Sequence, residues 1–251
     1  MYYTRWIHSS VKSYIETMDG FRKARLMNCR ARPGSAYVPT DVEHIANMVT
    51  HGIWILPSFA AGVWMVNLAH TPLQYLTSVI YGMALMALFI TSTTFHTISY
   101  TGKCMSWKNV FHIGDRAVIY IFIAASYTPW LTLKDMQTWG MQTLWLVWLA
   151  AVLGIVYQYT FHEKYKWLET ILYVVLGACP AVSVVAMKNV SGLTEMAFGG
   201  MVYIIGVFFF KCDGVLPFAH AIWHCFVFVG AAFHYYAVCK YLLGPHNVEA
   251  S

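Results

Sequence analysis

Charged positions along this chain fall in short clusters that separate long apolar stretches. Between Glu43 and Lys103 there is no Asp, Glu, Lys or Arg, and further charge-free runs cover Ala117 to Leu133, Met136 to His162, Thr170 to Met187, Met196 to Phe210 and Gly214 to Cys239. A bilayer core takes roughly 17–25 apolar residues per helical crossing. Helices of a soluble core would show a polar face at a 3.6-residue period, but these stretches are apolar all round. The first run is long enough for two crossings. It is interrupted at His70-Thr71-Pro72-Leu73-Gln74, where Pro72 and its polar neighbours predict a tight connection.

The pattern predicts an all-α fold, a seven-transmembrane helical bundle with helices at about 42–69, 74–99, 109–132, 138–160, 168–187, 193–210 and 217–242. The sixth has the weakest pattern, because its clean run is short and Glu195 sits in its start. Pro57, Pro129 and Pro180 fall inside helices, where neighbouring helices in a membrane protein satisfy the freed carbonyls. The expected organisation is a basic N-terminal segment 1–41, a membrane domain 42–243 and a short tail 244–251. Composition agrees, since 59% of residues are hydrophobic and 11% charged, against about 25% charged in soluble domains. The N-terminal segment lacks the apolar core of a cleavable signal. The six cysteines are scattered without a CxxC pair, so no disulfide is expected. Aromatic residues near helix ends, such as Trp107, Trp130, Trp139, Trp167 and Tyr241, fit interfacial belts.

Placing the N-terminus in the cytoplasm puts twelve Lys and Arg residues inside (positions 5, 12, 22, 23, 25, 30, 32, 103, 108, 164, 166 and 211). Only Lys134, Lys188 and Lys240 fall outside, a bias that predicts this orientation and a lumenal or extracellular C-terminus. The sequon Asn189-Val190-Ser191 then lies outside, close to the membrane, and reads more readily as a chance triplet than as a glycosylation site. The basic run from Phe21 to Arg25, with Arg30 and Arg32, suits either topology or contact with anionic lipid.

Ionisable residues in membrane helices are costly and mark function. With the topology fixed by charge alone, four helices bring them to one end. The first carries Glu43, Asn47 and His51 at four-residue spacing, the second Ser92 and His96, the third His112, Asp115 and Arg116, and the seventh His220 and His224. Residues i and i+4 stack on one helix face, so the HxxxH pair could ligate one metal ion, as in zincin helices. By itself the pair reads more readily as histidines hydrogen-bonded to neighbouring helices. Ala221 stands where a zincin has its glutamate, so a hydrolytic site would draw a carboxylate from elsewhere, and Asp115 is the natural supplier. Catalytic zinc takes three protein ligands, and His96 fits on depth and face. His44, His70, His162, His234 and His246 read as interfacial or packing residues, with His162, beside Glu163, the one to watch.

The spacings Glu43-x3-Asn47-x3-His51, Ser92-x3-His96 followed by Asp115, and His220-x3-His224 resemble the three signature motifs of the progestin and adipoQ receptor family. That family includes adiponectin receptors and hemolysin III-like proteins and is related to alkaline ceramidases. The resemblance covers residues 40–243. The strings at 122–127, 162–166 and 217–224 look like its monocyte-to-macrophage differentiation factor-like branch. The resemblance implies zinc held by His96, His220 and His224, with Asp115 close to a zinc-bound water and Ser92 beside that water or a substrate carbonyl. Glu43, Asn47 and His51 are expected to orient these ligands and pack the helices. For this branch it also implies Golgi or late endosomal and lysosomal membranes and a signalling role.

Two function classes follow. One is hydrolysis of a lipid amide of the ceramide type, with Asp115 as base and Ser92 either stabilising the oxyanion or tying its own helix. The other is a receptor or scaffold for signalling proteins whose zinc is structural, which a fourth ligand such as His51 or His112 would support. A pore fits less well, because ionisable residues are not spaced through the membrane depth. No nucleic-acid or nucleotide motif is present, so the expected partners are membrane lipids.

Overall fold

A computed structural model describes residues 25–134, 139–185 and 191–245. All regular structure among the described residues is helical. The α-helices are α1 (Asp41–Gly52), α2 (Ile55–Leu68), α3 (Pro72–Thr101), α4 (Lys108–Leu133), α5 (Trp139–Phe161), α6 (Lys166–Val185), α7 (Leu193–Phe210) and α8 (Ala219–Tyr241). Asn189, Val190, Lys188, His246 and the first 24 residues lie outside the described residues.

The first predicted helix is two helices, α1 and α2, interrupted at Ile53 and Trp54. Pro57 offers no N–H to the Ile53 carbonyl and its ring crowds that group, so the chain restarts with Pro57 in the first turn of α2. Pro129 and Pro180 remain inside α4 and α6. At the start of α1, Thr40 and Glu43 form a reciprocal capping box. Thr71 caps α3 with Pro72 in its first turn, and Gly102, in the left-handed region at φ 64°, ends it.

From α2 onward each helix packs on the next, α1 lies against α3, and the bundle closes where α8 meets α1 and α4. Between α2 and α3 the backbones nearly touch: a Cβ on Gly82 would lie 2.9 Å from the Gly62 Cα. Small residues permit such close approach in lipid, where packing rather than hydrophobicity holds helices together. The core contains Met65, Tyr81, Phe89, Tyr120 and Val238. Trp130, expected at the membrane interface, is instead fully buried in that core. Its indole lies under the backbone of Gly192, which leaves no room for a Cβ. The outside remains apolar, with Leu56 79%, Val182 73% and Trp145 71% exposed. Large aliphatic and aromatic groups so placed need lipid around them.

Among the described residues, six units are long and apolar enough to cross a bilayer: 41–68, 72–101, 105–133, 139–161, 193–210 and 219–241. The sixth predicted helix is among them, with Glu195 in the first turn of α7. The helix outside that set is α6, 20 residues long, which begins with Lys166 and Glu169.

The two ends of the bundle differ. At one, the start of α1, the end of α3, the start of α4, the α5–α6 turn and the start of α8 converge. There the His44 ring lies 6.1 Å from that of His96, and Phe95 stacks on His112 at 4.5 Å. At the other, Gln74 Nε2 donates to the Leu242 carbonyl at 3.1 Å and Tyr241 donates to Glu195 at 2.7 Å.

Candidate metal centre

Phe218, in the left-handed region at φ 58°, turns the chain into α8, so that His220 falls in its first turn and His224 one turn later. The two rings stand 4.7 Å apart, and the His96 ring, from α3, lies 5.4 Å from His220 and 5.5 Å from His224. One ring nitrogen from each of the three lies within 4.8 Å of the others. His96 and His224 are buried, and His220 borders the cavity described below.

Hydrogen bonds fix two of these rings. The Thr50 hydroxyl donates to the Ala46 carbonyl at 2.8 Å, leaving its oxygen to accept from His224 Nδ1 at 3.0 Å. This assigns the His224 proton to Nδ1 and the lone pair to Nε2. His220 Nδ1 lies 3.3 Å from Asp213 Oδ2, an arrangement that likewise frees Nε2. Carboxylate or hydroxyl partners behind the ring are what metal-binding histidines generally carry. Neither Thr50 nor Asp213 was anticipated. Thr50 precedes His51 on α1 and could have been found from that adjacency, whereas Asp213 sits in a loop with no pattern of its own.

His96 supplies the fit test for a metal. Among the described residues neither of its nitrogens, both buried, has a hydrogen-bond partner. A buried polar group left unpaired costs roughly 1–3 kcal/mol, and a bound cation would remove that cost for the one nitrogen that coordinates it. Around it, both nitrogens of His51 and both amide atoms of Asn47 are also buried and unpartnered. His51 stacks on His224 with centroids 3.6 Å apart, so it buttresses a ligand candidate and stands outside the three-histidine group. Glu43 serves elsewhere, accepting from Tyr37 at 2.8 Å and from the Thr40 backbone N–H at 2.9 Å.

Asp115 of α4 stands beside Ser92 and His220. It lines, with His96, His220 and Asn47, a cavity of about 580 Å³ at this end of the bundle. Ser92 is buried behind it. His96, His220 and Asp115 thus reach the cavity, while His224 and Ser92 are buried out of it.

A second group, His112, His162 and Glu163, also has mutually close donor atoms. His162 Nε2 and His112 Nδ1 share a hydrogen bond at 3.0 Å. Glu163 is engaged by Arg116 at 2.5 Å and Lys166 at 2.5 Å. Burial alone would raise the Glu163 carboxyl, but the two cations outweigh it and hold the group below its usual range. Two positive charges on its one carboxylate fit this group poorly for a cation. Arg116 also donates to Glu169 at 2.7 Å, and Glu169 accepts from Gln158 and Tyr173, each at 3.0 Å. Of the other histidines, His70 is exposed and His234 is buried against Tyr203.

A family described as Haemolysin-III related matches residues 42–235. The chain belongs to the haemolysin-III-related family. It is 46% identical over 222 residues to the monocyte to macrophage differentiation factor of Homo sapiens, covering 88% of this chain and 93% of that protein. It is 33% identical over 208 residues to the Hemolysin-3 homolog of Bacillus subtilis, covering 80% and 95%. The matched region spans every residue of the three-histidine group as well as Asp115 and Ser92. A haemolysin-III-related membrane protein with a histidine cluster able to hold a metal ion is therefore what the fold, the site and the relatives jointly describe.

Proposed function

We propose that His96, His220 and His224 hold zinc and that the site hydrolyses a lipid amide of the ceramide type. The observation that carries this reading is the buried His96 ring, with both nitrogens unpartnered, facing His220 and His224 beside the Asp115 carboxylate. Three imidazoles and no fourth ligand are the donor set of catalytic zinc, whereas structural zinc takes four. His51 and His112, the candidates for a fourth ligand, stand outside the group. Zinc so held supplies an activated water at neutral pH and polarises a carbonyl.

The protein groups do the rest. Asp115 accepts a proton as general base and returns it to the leaving amine. Ser92 hydrogen-bonds the oxygen on which charge develops. Asp213 and Thr50 fix the tautomers of His220 and His224. A cavity at the end of an apolar bundle admits a lipid from the side. Further parts of the reading are a seven-span bundle with α6 as the additional crossing, a cytoplasmic N-terminus, and residence in Golgi or late endosomal membranes.

The test is zinc content and ceramide hydrolysis of purified wild type, His220→Ala and Asp115→Ala. Zinc lost only in His220→Ala, with turnover lost in both, supports a hydrolase. Stoichiometric zinc without fatty acid release from ceramides of any chain length replaces it with a structural ion in a receptor or scaffold. Absence of zinc from wild type removes the centre altogether.

A further inference from the structure

The cavity that reaches the histidines has a strongly basic rim. Arg30, Arg32, Arg116, Lys164, Lys166 and Lys211 line it, against Asp115, Glu163 and Asp213. The acids are largely spent within the fold. Glu163 is held by Arg116 and Lys166, and Asp213 faces His220. Arg30, Arg32, Lys164 and Lys211 have no carboxylate partner among the described residues. Lys211 donates only to the Lys166 carbonyl and the Thr170 hydroxyl, each at 3.2 Å. A part-buried ammonium with neutral partners alone is one that an anion would stabilise.

These cations come from separate parts of the chain and are placed by tertiary contacts. The segment before α1 crosses the cavity mouth as a strap. Lys166 Nζ donates to the Ser35 carbonyl at 2.7 Å, and Asn28 donates to the Val38 carbonyl at 2.9 Å and to Tyr37 Oη at 3.0 Å. Where the strap passes the α7–α8 connection, a Cβ on Gly214 would lie 2.5 Å from the Arg30 Cα, so only glycine admits it. Arg30 and Arg32 thereby line the cavity together with Lys164 and Lys211. Topology alone explains basic loops on one side of a membrane. It does not explain why four uncompensated cations converge on one opening whose wall also includes Phe95, Trp167 and Phe210.

We infer that the ligand of this site carries a phosphate group, bound at the rim by Arg30, Arg32, Lys164 and Lys211 while its remainder extends toward the histidines. Guanidinium and ammonium groups together suit phosphate, through forked hydrogen bonds and point charge respectively. The inference rests on the reading of the histidine centre as a ligand-processing site, and it narrows the lipid amide to one with a phosphorylated head. A lipid headgroup and a soluble phosphate ester share this chemistry.

The experiment measures binding by titration calorimetry on the full chain in neutral phosphatidylcholine nanodiscs. The probes are dihexanoyl phosphatidic acid, dihexanoylglycerol and inorganic phosphate. The phosphorylated lipid is expected to bind at least about tenfold more tightly than its neutral counterpart. That preference should disappear in Arg32→Glu/Lys164→Glu, shrink in Arg32→Gln/Lys164→Gln, and survive in Lys103→Glu, which alters an exposed lysine away from the cavity. Inorganic phosphate about tenfold weaker than phosphatidic acid assigns the site to a lipid, and equal affinity assigns it to a soluble phosphate. Equal binding of the neutral and phosphorylated lipids overturns the inference, as does a preference unchanged by both rim variants. Zinc content, measured alongside, verifies that the variants fold. Because the readout is binding, failed ceramide turnover would leave this result standing, and a failed headgroup preference would leave the zinc centre standing.

Discussion

Around His96, buried ring nitrogens have no hydrogen-bond partner among the described residues, whereas Arg116 on the neighbouring helix pairs with Glu163 and Glu169, and Lys166 with Glu163. Both clusters sit at the same end of one bundle, and both are polar groups in an apolar fold. In the Arg116 cluster, Glu163 and Glu169 are neutralised from within by Arg116 and Lys166, with Gln158 and Tyr173 supplying further donors. Such a network binds helices together and needs nothing from outside. In the histidine cluster His224 and His220 are held from behind by Thr50 and Asp213, while both nitrogens of His96 have no hydrogen-bond partner among the described residues. Pairing thus separates a structural polar cluster from one shaped for a ligand.

The sharpest way to break this contrast is to alter one charged residue in each cluster. Asp115→Asn should lower lipid amide hydrolysis by about 10²–10⁴-fold while zinc, measured by elemental analysis, stays bound. Its opposite is expected at Arg116. Arg116→Ala should leave Glu169 without a cation and Glu163 with Lys166 alone, and cost about 3–5 kcal/mol of stability in denaturation measurements. If Arg116→Ala were as stable as wild type, the network would not hold the helices. A smaller effect is expected behind the metal ligands: Asp213→Asn or Thr50→Val should weaken zinc affinity by about 10–100-fold without removing a ligand. Competition with a chelator of known affinity measures it, and an unchanged affinity would show that the two partners do not tune the centre.

The smallest effect concerns pH. Because Arg116 and Lys166 hold the folded Glu163 carboxyl below its unfolded value, its contribution to stability is complete above the ordinary glutamate range. It is lost as pH falls through the folded value. Wild type should therefore lose stability in mild acid more steeply than Glu163→Gln, which should be less stable at neutral pH and flatter below it. Parallel curves would mean that the ion pairs contribute nothing measurable.

Much of the candidate centre was legible because helix geometry carries it. His220 and His224 share a face by spacing alone, and the charge distribution brought His96 and Asp115 to the same end. The break in the first helix was in principle legible too, since Pro57 denies Ile53 its hydrogen bond. Trp130 was not: a tryptophan near a helix end looks interfacial until Gly192 is seen to lie against it. Asp213, Thr50 and the strap from Arg25 to Thr40 were equally out of reach, because each matters through a contact with a residue distant in the chain.

What the sequence by itself determined is therefore the membrane class, the helices and the residue types at their polar end. Those follow from runs of apolar residues and from the fixed period of a helix. Tertiary structure decided which polar groups pair and which stay unsatisfied, and which basic residues surround the cavity. Both depend on distances between segments far apart in sequence, and no local pattern encodes such distances.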